Sequence, residues 1–256
     1  LLHLPVPVDA RLIVAIVAIV LAGVAKAVTG MGLPVAAVPI LVALYGDLRL
    51  VLLCTVLGTV LTDPPMVWRY RGHWRESGVI VGFVFAGVIG MVIGTHLLAY
   101  VKQSVLAGIL AVVVIAFIVT SLLDRLPVLP RTLAARIGPL VGLCCGMLQG
   151  AAGAAGPVTT VYLVSTQLAR GAFLFAINAI FFALDFTQFV ALQQLHLTTT
   201  QIWTAAIGIF VLCSAGLGIG FALQSRIDDV AFKRGVLIML ACAGAGLLVR
   251  AFHASS

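Results

Sequence analysis

The chain is 256 residues long, 62% hydrophobic and only 9% charged, with a mean hydropathy of +1.23, so no soluble domain can hide its apolar surface from water and lipid must be its solvent. Its formal charge of +7, from 15 Lys and Arg against 8 Asp and Glu, falls mostly in short loops between apolar runs. There it reads as a membrane-topology signal and excludes nucleic acid as a partner.

Apolar length, Gly/Pro breaks and charged punctuation predict ten helical segments. Five lie near 11–28, 33–45, 49–68, 77–99 and 103–123, and five near 138–150, 157–168, 171–192, 200–224 and 230–252. No polar block between them is long enough to fold alone, so the expected fold is an all-α polytopic membrane protein forming a single transmembrane domain over 1–256. The first run contains Lys26 and leads straight into further apolar segments, so a cleaved signal peptide is not expected. The missing initiator Met suggests a trimmed N-terminus. The second and seventh segments, about 13 residues each, make roughly 20 Å of helix against a hydrocarbon core of about 30 Å. Neither can span alone.

Each short segment opens with a proline after a loop of small residues: Thr29-Gly30-Met31-Gly32-Leu33-Pro34, then Gly153-Ala154-Ala155-Gly156-Pro157. Proline suits the first helical position, whose N–H has no intrahelical partner. Pro34 and Pro157 stand 123 residues apart, and the same offset pairs Gly23 with Gly146, Lys26 with Gln149, Gly30 with Gly153 and Thr55 with Asn178. The halves, about 11–123 and 138–252, therefore read as repeats. Arg69, Arg71, Arg75, Arg125, Arg131, Arg136, Arg170, Arg226, Lys233 and Arg234 are expected inside, against Arg11, Arg49, Lys102 and Arg250 outside. That places both termini outside and inverts one five-segment half relative to the other.

In this layout helices two and seven aim their N-terminal ends, with free N–H groups and the positive end of the macrodipole, at the membrane midplane. The expected ligand is a small anionic solute. Gly30, Gly32, Gly153 and Gly156 would let it reach the backbone, and Thr29, Thr159 and Thr160 could donate hydroxyl hydrogen bonds. The same glycines could instead permit close helix crossings.

Lys26 lies deep in the first segment, where an unpaired ammonium costs several kcal/mol. It reads as a charge that attracts the anion, or as one that snorkels to the inner surface or pairs with a carboxylate. Gln149 would offer neutral hydrogen bonds at its repeat position. Asp185, near Asn178 and Gln188 by helical spacing, and Asp63 are candidates for coupling. For Asp63 the favoured reading is a residue near the inner surface that pairs with Arg69 or Arg71 or shapes a turn. His96 reads as simply hydrogen-bonded. Gly138, Gly142, Gly146 and Gly150 at four-residue spacing, with Gly90, Gly94, Gly216 and Gly220, read as packing surfaces. Trp68, Trp74 and Trp203 fall at segment ends, as an interfacial belt requires.

Cys54, Cys144, Cys145, Cys213 and Cys242 sit in apolar segments without metal-ligand spacing, so neither disulfides nor zinc are expected. No cofactor is implied, no nucleotide-binding loop points to ATP, and no HExxH points to an intramembrane enzyme. A carrier and an anion channel both fit, for a small anion such as a carboxylate. A homo-oligomer in the bilayer is compatible with either.

Gly23 through Pro39, and Gly142 through Leu163 as its second copy, resemble the sulfite exporter TauE/SafE family, also called the toluene-sulfonate uptake permease family. The resemblance covers nearly the whole chain. It implies a secondary transporter of sulfur-containing oxyanions or organosulfonates, with sulfite, sulfoacetate and aromatic sulfonates in the substrate class, in a bacterial inner membrane. A sulfonate presents three acceptor oxygens to converging N–H donors, Lys26 and Gln149, and an organic remainder could rest on Phe181, Phe182 or Phe186.

Overall fold

The computed structural model describes residues 8–30, 37–38, 40–41, 44–45, 48–101, 128–153 and 155–224. Their elements are α1 (Val8–Thr29), α2 (Leu48–Tyr70), α3 (Val81–Tyr100), α4 (Arg131–Ala152), α5 (Gly156–Ser165), α6 (Arg170–Gln194) and α7 (Thr200–Gln224), with short 3-10 turns at Arg71–His73 and Gly78–Ile80. All but α5 are long and apolar enough to cross a membrane. Outward faces such as Leu12, Ile13, Val17 and Leu21 on α1, Phe85 and Ile89 on α3, and Ile207 and Val211 on α7 are exposed. Lipid tails solvate such faces as well as a protein neighbour would.

The expected segments match in place, with differences at their ends. α4 begins at Arg131, not 138, and runs through Pro139. A proline forfeits one helical hydrogen bond, but this ring packs against α3, 3.0 Å from where a Cβ on Gly82 would stand. α5 stops at Ser165, short of 168: Thr166 Oγ1 donates to the Leu163 carbonyl at 2.6 Å and Gln167 turns to φ +53°. Within 33–45, the described residues 37–38, 40–41 and 44–45 are helical, whereas segments 103–123 and 230–252 lie outside the described residues.

Glycines fix which helices touch. A Cβ on Gly142 would stand 2.1 Å from Phe83 O, and one on Gly146 2.0 Å from Gly87 O, so α3 and α4 run parallel with their backbones in contact. The packing reading of that glycine strip holds. α1 and α7 meet in the same way: a Cβ on Gly23 would stand 2.4 Å from Cys213 O, and one on Gly220 2.5 Å from the Ala27 Cβ.

Further pairs give the remaining directions. Gly58 lies against Ile209 and Tyr70 against Gln224, so α2 is parallel to α7. Thr59 meets Asp185 while Gly171 meets His73, so α2 is antiparallel to α6. Ser77 Oγ donates to Ala172 O and Gly87 faces Leu184, so α3 is parallel to α6. Hence α1, α2 and α7 run one way and α3, α4 and α6 the other. The half-length α5 folds back along α4, with Leu129 N–H donating to Ser165 O at 2.8 Å and Tyr162 Oη to Ala134 O at 3.0 Å.

Candidate functional site

Polar side chains collect where α1, α2, α4 and α6 meet. Lys26, 4% exposed, donates to Thr62 Oγ1 at 2.8 Å and forms an ion pair with Asp63, 1% exposed. This corrects the surface reading of Asp63. Arg69 lies over the Phe221 ring and Arg71 over Trp68, and Pro64 and Pro65 do not break α2, so Asp63 stays inside the bundle. Burying either charge alone would cost several kcal/mol, which is why the two occur together.

The second carboxylate, Asp185, accepts hydrogen bonds from Thr59 Oγ1 at 2.9 Å and from Gln149 Nε2 at 3.4 Å. It lies close enough to Asp63 and Lys26 for their charges to act on it. Gln149 also accepts the Ala155 N–H at 3.2 Å through Oε1, so its amide ties the start of α5 to Asp185. Gln188 Nε2 donates to Gly150 O at 3.3 Å. Among the described residues, Asp63 Oδ2, Asn178 Oδ1 and Gln188 Oε1 are buried acceptors with no hydrogen-bond partner.

Of the residues predicted from sequence, the structure thus brings Lys26, Asp63, Asp185 and Gln149 into one cluster. Gly30 and Gly153 end α1 and α4 in left-handed conformations, at φ +77° and +64°, where a side chain is strained. A Cβ on Gly30 would stand 2.3 Å from Ile177 Cγ2 and 3.1 Å from Asn178 Nδ2, and one on Gly153 2.6 Å from Leu52 Cδ2. Asn178 Nδ2 donates to Leu174 O at 2.7 Å. Gly156 opens α5, with Ala155 at its N-cap offering no capping side chain. Thr29 and Thr160 direct their hydroxyls to Ala25 O and Gly156 O, and Thr159 is fully buried. Gly32 lies outside the described residues.

Other expectations resolve locally. His96 Nδ1 lies 2.8 Å from Val92 O, the simple hydrogen bond foreseen for it. Trp68 and Trp74 are exposed at helix ends. Phe186 is half exposed, in a ring ladder with Phe182 and Phe189 at centroid distances of 6.0 and 6.4 Å. It therefore faces away from the buried cluster and cannot hold an organic remainder there, while Phe181 is buried in the apolar core. The sequence reading missed Thr59 and Thr62. Their spacing with Thr55 and Asp63 puts all four on one face of α2, a period-3.6 polar stripe in an otherwise apolar run.

Charged groups enclosed by membrane-spanning helices, beside a half-length helix whose first turn faces them, mark the class of polytopic membrane proteins that handle ions or polar solutes. The chain belongs to the sulfite exporter TauE/SafE family, whose model matches residues 15–247. It is accordingly a multi-pass membrane protein of a transporter family. No curated protein and no solved structure matches it.

Proposed function

We propose that this protein carries sulfite or a small organosulfonate across a bacterial inner membrane by alternating access, with a proton moving on Asp185, and that its halves are inverted repeats. The directions of the helices support the inversion. At an offset of 123, α1 falls on α4, and α2 and α3 fall on α6 and α7 within a few residues; the members of each pair run oppositely. Gly30 and Gly153 turn left-handed at the same offset. The bond from Lys26 to Thr62 has its counterpart in the bond from Gln149 to Asp185. Arg69, Arg131 and Arg170 gather at one end and Arg11 and Arg49 at the other, which favours both termini outside.

The observation that carries the site is the start of α5, which faces the Gln149–Asp185 contact with Ala155 in place of a capping side chain. Its free N–H groups and dipole favour an oxyanion, with Gly153, Gly156, Thr159 and Asn178 around the approach. Lys26, Thr29 and Gly30 stand at the matching end of α1 in the other half, and Gly32 follows them in the sequence. Yet the cluster holds two carboxylates, Asp63 and Asp185, for one lysine. Two like charges enclosed by apolar helices repel each other, because little water is present to screen them. A proton on Asp185 removes that repulsion.

The test is uptake of labelled sulfite and of a small sulfonate into proteoliposomes, with and without a pH gradient, for the parent, Lys26→Ala, Gln149→Ala and Asp185→Asn. Saturable, gradient-driven flux in the parent is expected, lost in the first two variants. Asp185→Asn should keep solute exchange but no longer respond to the gradient. Equal flux in all four discards the site, currents far above carrier turnover make the protein a channel, and preference for a carboxylate moves the substrate class.

A further inference from the structure

A cavity of about 290 Å³ opens at the basic end of the bundle, where α2 and α7 end and α6 begins. Its lining includes Arg69 and Arg170, together with Tyr70, Leu174, Phe221 and Gln224, and no carboxylate among the described residues. The volume suits an ion of four or five heavy atoms with some water. Arg69 is held in place by stacking 4.5 Å over the Phe221 ring centroid, and Tyr70 Oη sits 2.8 Å from Gln224 Oε1 and 2.6 Å from Nε2, clamping α2 to α7. Arg69 is therefore carried on a braced frame, and Arg170 faces the same cavity from the start of α6.

Side chains that line this cavity pack on residues next to the buried cluster. Tyr70 and Phe221 pack on Ala27, Met66 and Leu217, and Ala27 adjoins Lys26 in α1. On the other wall Leu174 Cδ2 lies 3.5 Å from where a Cβ on Gly30 would stand. We infer that the cavity between Arg69 and Arg170 is a second anion site, an antechamber that binds a small soluble oxyanion on the inner face before it passes to the midplane. Planar guanidinium forks match the paired oxygens of a sulfite, sulfonate or sulfate group. The handover to Lys26 rests on the transport reading above; binding in the cavity does not. A lipid phosphate offers the same chemistry, so the assay must separate the two sources.

Two measurements test this on the full chain. In titration calorimetry of the detergent-purified protein with sulfate as the probe, the parent should bind. Arg69→Gln and Arg170→Gln should each weaken binding roughly tenfold or more, the loss expected for one charge-assisted hydrogen bond. Arg170→Lys, which keeps the charge and preserves the fold, should recover part of it. In phosphatidylcholine vesicles, the half-saturating sulfite concentration for uptake from the inner-face side should rise by a similar factor, with the maximal rate little changed. Sulfate binding that is absent in the parent, or equal in parent and glutamine variants, overturns the antechamber. So does an effect that appears only when phosphatidylglycerol is added, since the occupant is then a headgroup. A parent that binds sulfate through these arginines but moves no sulfite leaves the antechamber standing and removes the transport reading instead.

Discussion

Replacing Asp63 with Asn isolates the energetics of the buried ion pair. Lys26 is 4% exposed and Asp63 1%, so the lysine left behind is out of reach of water and loses its ion-pair partner, keeping Thr62 Oγ1, a neutral amide and the field of Asp185. Breaking a buried pair from one side costs about 3–5 kcal/mol, a shift of roughly 10²–10³ or more in the folding equilibrium. Replacing both members at once, Lys26→Met with Asp63→Leu, removes the stranded charge, and such swaps are often neutral or stabilising. The assay is thermal unfolding of detergent-solubilised protein followed by size-exclusion fluorescence, run beside sulfite uptake. Asp63→Asn should unfold at clearly lower temperature, and the double variant should return near the parent while transporting nothing. A single variant as stable as the parent would refute the energetic argument, and a double variant that still transports would refute any role for the pair in function.

Gly146→Ala must push α4 away from Gly87 O by about 1.4 Å, from 2.0 Å to the 3.4 Å of ordinary contact, so a loss of about 1–3 kcal/mol is expected. Gly208→Ala, with nothing within 4 Å, should be neutral or slightly stabilising in the same melting assay. Gly30→Ala and Gly153→Ala each force a Cβ into a left-handed residue, costing about 1–2 kcal/mol, and should lower uptake as well as stability because they sit at the helix breaks. Thr59→Val removes a hydroxyl donor from Asp185; it should move the pH dependence of sulfite uptake toward that of Asp185→Asn, and an unchanged pH profile would count against the proton assignment.

Apolar length with its Gly/Pro and charged punctuation placed the described spanning helices, because a bilayer demands long uninterrupted runs, and α7 over 200–224 matches the expectation at both ends. The start of α4 was not legible: Arg131, Arg136 and Pro139 resemble a loop until α3 supplies the surface on which that turn packs. Lys26, Asp63, Asp185 and Gln149 stood out as polar residues in greasy segments, yet their pairing was hidden. Nothing local tells a lysine at 26 that its counter-ion is at 63, or a glutamine at 149 that its partner is at 185, since helix packing across the bundle decides both. Asp63 was drawn to nearby arginines by sequence proximity, and the depth of α2 overrules that. The antechamber was hidden for the same reason, because Arg69 and Arg170 come to line one cavity only after α2 and α6 have packed antiparallel.

The crossed packing also has a consequence for biosynthesis. Among the described helices α1 packs most closely on α7, which begins at Thr200. At roughly 5–20 residues per second, the ribosome emits that helix about 10–35 s after α1 has left it. During that wait the Gly23 face of α1 stands open to lipid or to foreign helices, and the ammonium at Lys26 relies on α2 arriving first. Chains truncated before Thr200 should therefore accumulate as substrates for membrane quality control, and supplying the missing C-terminal part as a separate polypeptide should rescue them.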